Sequence, residues 1–338
     1  MSENGLQGTL LSTMTFPEMT DLVMRTFVQR QQMVDRKALE LFIKEPVAKG
    51  QGNTKKFTEV DTSTYARRKD EGGAAKKASF GVGYSKLMTK KRVAFEIDIT
   101  QEMRDENRYT QVGTLMANLG DFAPNRIDLD ATHRFTFANA TSMTDMDGET
   151  VDLTGGDGYA MLSTVHPLAF SSTTWSNRIS ADPVFSKAAL IAGEKLFTTN
   201  IFSNFGEKRT MKPNTIITGD DPETVDAVRQ FLNSTSDNTQ NNSGVVNTYK
   251  AAYRHVVLPN LATTAMGAPD STKRRIWFLA NVGVGYNGAQ LIYGEWEAAH
   301  SKPVDEDGHK DVWSYGTRAG YGFALVSAKG VVGSFVSN

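Results

Sequence analysis

Cysteine is absent from all 338 residues, which excludes disulfide staples and thiolate metal ligands. Long apolar runs are absent too. A membrane-crossing helix needs about 20 consecutive apolar residues, and no stretch here approaches that length. The opening segment, Met1 to Phe16, lacks a basic stretch followed by an apolar core, so no secretory leader is expected. Histidine is sparse, at His133, His166, His255, His300 and His309, with no pair at metal-ligand spacing. Nor does one sign of charge dominate, because 37 Lys and Arg face 38 Asp and Glu.

What is present describes an ordinary globular chain, 39% apolar and 22% charged, long enough for two or three domains. The balanced charge hides a split. Between Lys55 and Arg92 there are eleven basic residues (55, 56, 67, 68, 69, 76, 77, 86, 90, 91, 92) against four acids (59, 61, 70, 71). That surplus of +7 leaves −8 on the rest of a chain whose net charge is −1. Opposite charges on separate segments suit a chain that pairs with copies of itself or docks on an acidic partner.

The stretch Ile97 to Ala140 organises the remainder. Thr100 is placed to cap a helix, and Met103, Val112, Leu115, Met116 and Leu119 recur at helical spacing. Gly120 and Pro124 read as its stop, with a second helical run through Ile127, Leu129, Phe135 and Phe137. Upstream, Thr15 and Glu18 make a capping-box pattern. An amphipathic helix is expected from there, carrying Phe16, Met19, Leu22, Val23, Phe27, Met33 and Val34, with a further cluster at Leu39, Leu41, Phe42 and Ile43. Lys55 to Ala66 and Tyr84 to Ile99 alternate in strand fashion around a tip rich in Gly, Ala and Lys. Two such strands bury too little to stand alone, so the hairpin is expected to lie across a neighbouring molecule.

Downstream of the brace, helices are expected from Asp182 with Pro183 in the first turn, and from Asp220 or Asp221 with Pro222. Strands are expected at 214–218, 255–258, 276–280, 289–293 and 319–326. Strand followed by helix is an α/β signal.

Chemical motifs are weak. Gly283, Gly285 and Gly288 form a G-x-G-x-x-G after the apolar run at 276–280, the pattern of an NAD-dependent oxidoreductase. The residues after them read as a strand, so no helix is available to receive a pyrophosphate. Ser163 and His166 suggest a nucleophile and base but lack a nucleophile elbow and an evident partner acid. Asp145, Asp147, Glu149, Asp152 and Asp157 make an acidic, Gly-rich loop that departs from the EF-hand pattern and reads as solvated. No catalytic constellation survives, and neither an enzymatic activity nor a cofactor is expected.

The order arm, helix, basic hairpin, long brace, α/β region and glycine- and aromatic-rich tail resembles the Hong Kong phage (HK) fold of tailed-bacteriophage major capsid proteins, over nearly the full chain. Three stretches carry the likeness: RVAFEIDITQEMRDE at 92–106, DGYAMLSTVHPL at 157–168 and WSYGTRAGYGFALVSAKGVVGS at 313–334. The resemblance implies an α+β chain with an N-terminal arm and helix at 1–48 and an extended loop at 49–96. It further implies a peripheral domain with the spine helix at 97–182, an axial domain at 183–300 and return strands to the peripheral domain at 301–338.

The implied function is an icosahedral shell enclosing phage double-stranded DNA, built from hexamers and pentamers in the host cell cytoplasm and ending in the virion. A separate scaffolding protein, a portal, decoration proteins and non-specific contact with DNA are the expected partners, and no membrane is among them. Inter-subunit contacts are expected from the basic residues of the loop: Lys55, Lys56, Arg67, Arg68, Lys69, Lys76, Lys77, Lys90, Lys91 and Arg92. The alternative within the same fold is an encapsulin-type compartment holding cargo enzymes. A tail or adhesion protein that polymerises into tubes is a further competing class.

Overall fold

A computed structural model of the chain describes residues 36–48, 50–62, 65–69, 71–77, 80–102, 109–236, 246–283, 290–301, 305–307 and 312–336, together with 25 and 29. The expected N-terminal stripe from Phe16 to Val34, and Met103, fall outside these residues.

The architecture is α+β: two sheets meet on one helix. The first sheet holds β1 (Ile43–Pro46), β4 (Lys91–Thr100), β12 (Gln290–Ser301), β13 (Asp305–Asp307) and β14 (Val312–Ser327). Its central strand, β14, runs antiparallel to β12, β13 and β4, while β1 lies parallel to β12. The second sheet has the order β10 (Arg254–Val257), β9 (Thr215–Thr218), β11 (Trp277–Ala280), β15 (Val331–Ser334). Strands β9, β11 and β15 are buried at every position, because helices cover both faces. On one side Ile216, Trp277, Leu279 and Val332 pack with α2 (Lys187–Thr199) and α3 (Pro222–Asn233). On the other, Ile217, Phe278 and Val331 share a cluster with Ile127, Ala131 and Phe135 of α1 (Tyr109–Thr136). That cluster continues into Leu291, Tyr293 and Tyr321 of the first sheet, so α1 joins the two.

The helix α1 is continuous over 28 residues, through both Gly120 and Pro124. The expected stop is therefore overruled. Proline forfeits the hydrogen bond to the Gly120 carbonyl, but Leu119, Ala123, Ile127, Ala131 and Phe135 are all buried on one stripe that spans the break. Core packing on both sides holds the helix together.

Four other boundaries differ from expectation. The cluster at Leu39, Leu41 and Phe42 is a 3-10 turn (Lys37–Leu41) leading into β1, not the end of a helix. It packs on α1, where the Ala38 amide donates to Asp128 at 3.2 Å. The run Tyr84–Ile99 is two strands in different sheets, β3 (Phe80–Thr89) and β4, broken at Lys90. Helix α2 starts at Lys187, capped by Ser186, whose hydroxyl accepts from the Ala189 amide. Ala181 and Asp182 instead take left-handed φ values of 63° and 42°; the Asp182 carboxylate accepts from the Phe335 amide and from Arg178. Finally, the expected boundary at 300/301 cuts the β12–β14 pairing, and the last strand, β15, enters the second sheet. The cap by Asp221 on α3 agrees with expectation.

Candidate assembly surface

The hairpin pairs β2 (Thr54–Thr62) with β3 from Thr54↔Thr89 to Thr62↔Phe80, with one register shift between Thr58 and Val60. Strand alternation divides it into two faces. Against the expectation that the hairpin lies across a neighbouring molecule, its inner face lies on the chain's own body. Phe57 and Met88 are buried in a cluster with Val47, Ile292, Trp296, Ala324 and Val326. Further out, Glu59 and Asp61 are buried as well. Glu59 accepts from Lys329 at 2.9 Å, and Asp61 accepts from the Asn204 amide at 2.8 Å. No local pattern points to these partners, which lie 270 and 143 residues away.

The outer face is uncovered. Val60 is 60% exposed, Phe80 68%, Val82 57% and Leu87 56%. Register places them together, with Val60 opposite Val82, Thr62 opposite Phe80 and Lys56 opposite Leu87. Beyond the strands, the described tip residues 65–69 and 71–77 are all exposed.

The ten basic residues divide accordingly. Lys56, Arg67, Arg68, Lys69, Lys76, Lys77 and Arg92 are exposed. Lys55 pairs with Glu45 at 2.7 Å, and Lys90 is half-buried with its side chain across Gly320. Lys91 bonds to Asp145 and lies 3.8 Å from Asp130 and 3.7 Å from Asp147. Arg126 of α1 closes that cluster, 2.8 Å from Asp147 and 3.1 Å from Asp130. Lys86 pairs with Asp152 at 2.6 Å. Hairpin root, α1 and the two-stranded ribbon β5 (Ser142–Thr144) and β6 (Thr150–Asp152) are thus stitched together by charge.

The acidic loop is accordingly a partner for bases of its own chain. Burial pushes the Asp145 carboxyl up. The Lys91 hydrogen bond and the amides of Glu149 and Asp147 outweigh burial and hold the carboxyl below its ordinary value. Asp152 is likewise depressed: Lys86 and Thr154 overcome burial. Among the described residues no group of three or more metal-ligating side chains comes together. A groove of about 1040 Å³ opens between this root, α1 and the ribbon, with Phe95 and Phe122 edge to face at 4.8 Å.

The enzyme-like motifs go elsewhere. His166 is fully buried between β7 (His166–Leu168) and β8 (Ser171–Trp175). Its Nδ1 lies 2.7 Å from Asp157, its Nε2 lies 3.2 Å from Asn177, and its ring stacks on Trp175 at 4.4 Å. The Ser163 hydroxyl donates to the Val165 carbonyl, so no dyad forms. Sequence reasoning missed Asp157 as the acid that orients His166. Gly283 has φ +82°, while Gly285 and Gly288 fall outside the described residues. The next described element is the strand β12, so among the described residues no helix N-terminus follows Gly283 to receive a phosphate.

No protein-family model matches the sequence, and no curated protein does. Solved structures similar to the chain include the capsid of Myoviridae phage XM1, at TM-score 0.48 and 11% identity, over 93% of this chain and 91% of that one. The capsid of cyanophage P-SCSP1u is similar at TM-score 0.49 and 12% identity, over 88% and 87%. The holo-SrpI encapsulin complex from Synechococcus elongatus is similar at TM-score 0.46 and 10% identity, over 91% and 89%.

Proposed function

We propose that this chain is the subunit of a closed protein shell, the major capsid protein of a tailed-phage head. One observation carries the reading. The hairpin's inner face is satisfied by its own subunit, while its outer face presents four apolar side chains and its tip a row of bases. A hairpin of this kind, clamped along its inner face and uncovered on its outer face and tip, fits a role in gripping a neighbour. Heterologous contacts repeated by rotation close into rings and shells. The −8 carried by the rest of the chain is the source from which a complementary acidic surface on the neighbour is expected.

The role is architectural and no reaction is assigned to it. The same reading takes hexamers and pentamers as the building blocks, a separate scaffolding protein during assembly in the host cytoplasm, and portal and decoration proteins on the finished virion. DNA is enclosed through non-specific contact. Domain limits keep to the same scheme, with the peripheral part extended to include β12.

Electron microscopy of the purified chain, with and without co-expressed scaffold, tests the proposal. Closed icosahedral shells are expected. Reversal of Arg67, Arg68 and Lys69 to Glu is expected to leave a folded monomer and few particles. Tubes or small discrete oligomers would sink the proposal, and shells loaded with a cargo enzyme in place of DNA would assign the chain to an encapsulin-type compartment.

A further inference from the structure

The groove beside the hairpin root carries charge on its floor and large apolar side chains on its walls. Phe95 of β4 is 56% exposed, Phe122 of α1 37% and Met146 of the ribbon's turn 38%, and all three border the groove. Val93 and Phe323 border it as well, and both pack on the main core of the chain. A segment seated there would extend that core. Apolar side chains gathered on one concave surface mark a place where another segment lies.

The chain carries a segment of matching character. A period of about 100° per residue brings Phe16, Met19, Val23 and Phe27 within about 80° of one another. Arg25 and Gln29 fall on the opposite side of such a helix, and both are helical and exposed. With the polar side in solvent, the apolar stripe requires a cover. The segment also ends beside the groove. Ala38 bonds to Asp128, which lies on α1 between Arg126 and Asp130, and those two border the groove. Phe42 meets Phe323 edge to face at 5.2 Å. The connection from residue 28 to residue 36 reaches up to about 30 Å when extended, whereas a helix is about 10–12 Å across. The tether is therefore long enough to pass around α1 and enter the groove.

We propose that residues 16–27 of the same chain seat their apolar stripe in this groove, against Phe95, Phe122 and Met146, with Arg25 and Gln29 toward solvent. A helix laid apolar face down in a groove is held by anchors at the spacing of this stripe. Because β4 and α1 supply opposite walls, the seated segment ties the hairpin root to the helix. The contact lies within one copy and holds whether or not copies build a shell.

The chain has no cysteine, so a single introduced thiol carries a label to one place. Glu149→Cys, on the exposed rim of the groove, is labelled in the full chain with a benzophenone and irradiated. An adduct of single-chain mass is expected, whose tryptic map joins the label to a residue within 16–27. The same label at Val184→Cys lies beside α2, on the side of the second sheet away from α1, and is expected to capture none of that segment. Replacing Phe16, Met19, Val23 and Phe27 by Ser in the Glu149→Cys chain is expected to abolish the adduct. Failure to capture residues 16–27 from Glu149, equal capture from both positions, or an adduct that survives the serine replacements overturns the proposal. Adducts of double-chain mass in place of single-chain ones overturn it too and give the groove to a second copy. Should the serine variant fail to fold, the two labelled positions decide the matter alone.

Discussion

Phenylalanine, glycine, valine and glycine alternate at 80–83, and the alternation gives one strand two jobs. Phe80 and Val82 point outward and are exposed, while Gly81 and Gly83 point inward, where a Cβ would strike the Phe170 ring at 2.4 Å or Asn204 at 2.7 Å. Phe170 is 45% exposed and has room to move; Asn204 is fully buried and has none. Gly83→Ala is therefore expected to lift the hairpin stem and cost roughly 1–3 kcal/mol, the usual range for overpacking. Gly81→Ala is expected to cost less, and urea unfolding midpoints compare the two. A second residue-scale effect concerns acid. Burial draws the His133 imidazole from 6.5 down to about 4, with Lys273 and Arg126 adding to the push and Asp130 opposing it. His255 is drawn to about 4 by burial and Arg229. A depressed imidazole stays neutral in the fold while the unfolded chain takes up a proton, so stability falls as pH drops from 6.5 to about 4. For His133, which is 1% exposed, the loss is on the order of 3 kcal/mol. The depressed Asp145 and Asp152 act later. Their contribution is whole above 3.8 and disappears as pH falls through their lower folded values. Unfolding midpoints measured against pH are expected to fall in these two stages, and His133→Gln is expected to flatten the first.

At the scale of elements, the hairpin yields its own prediction. In the free subunit the exposed tip between Arg67 and Lys77 offers trypsin its easiest cuts, whereas assembly on a neighbour is expected to protect the same bonds; equal cleavage of subunit and particle would contradict the gripping role. Elements were legible in the sequence where one environment holds from end to end. Thr215–Thr218 and Trp277–Ala280 are buried on both faces, so their apolar residues marked two strands. Asp221 could be read as a cap because capping is local chemistry. What escaped depends on distant partners. Gly120 and Pro124 are stop signals that the long buried stripe of α1 overrides. The break at Lys90 exists because β4 is recruited by β14, more than 200 residues later. Glu59 and Asp61 stand in the sequence only as two of four acids in a basic segment, and only the tertiary closure reveals that they are buried anchors. The site was thus half legible: sequence charge located the hairpin, but neither its inner clamp nor its apolar outer face.

For the whole molecule, the proposed shell sets two forces against each other as the bond between copies. The charge split, +7 on the basic segment against −8 elsewhere, points to attraction between unlike surfaces. Yet exposed ion pairs contribute only about 0.2–1 kcal/mol each, and at physiological salt they are screened beyond about 8 Å. Val60, Phe80, Val82 and Leu87 are each more than half exposed. Covering a side chain of this size completely is worth about 1.5–3 kcal/mol, so burying the exposed half of four of them gives roughly 3–6 kcal/mol per contact. On the proposed reading the apolar face is therefore expected to set affinity, and the basic tip approach and register. Raising salt should slow shell formation while moving the critical concentration little. Val82→Asp should raise that concentration at least tenfold, with the monomer's unfolding midpoint unchanged because the side chain already faces solvent. Light scattering against protein concentration, at low and high salt, separates the two contributions. A critical concentration that climbs steeply with salt but ignores Val82→Asp would reverse the assignment and make charge the adhesive.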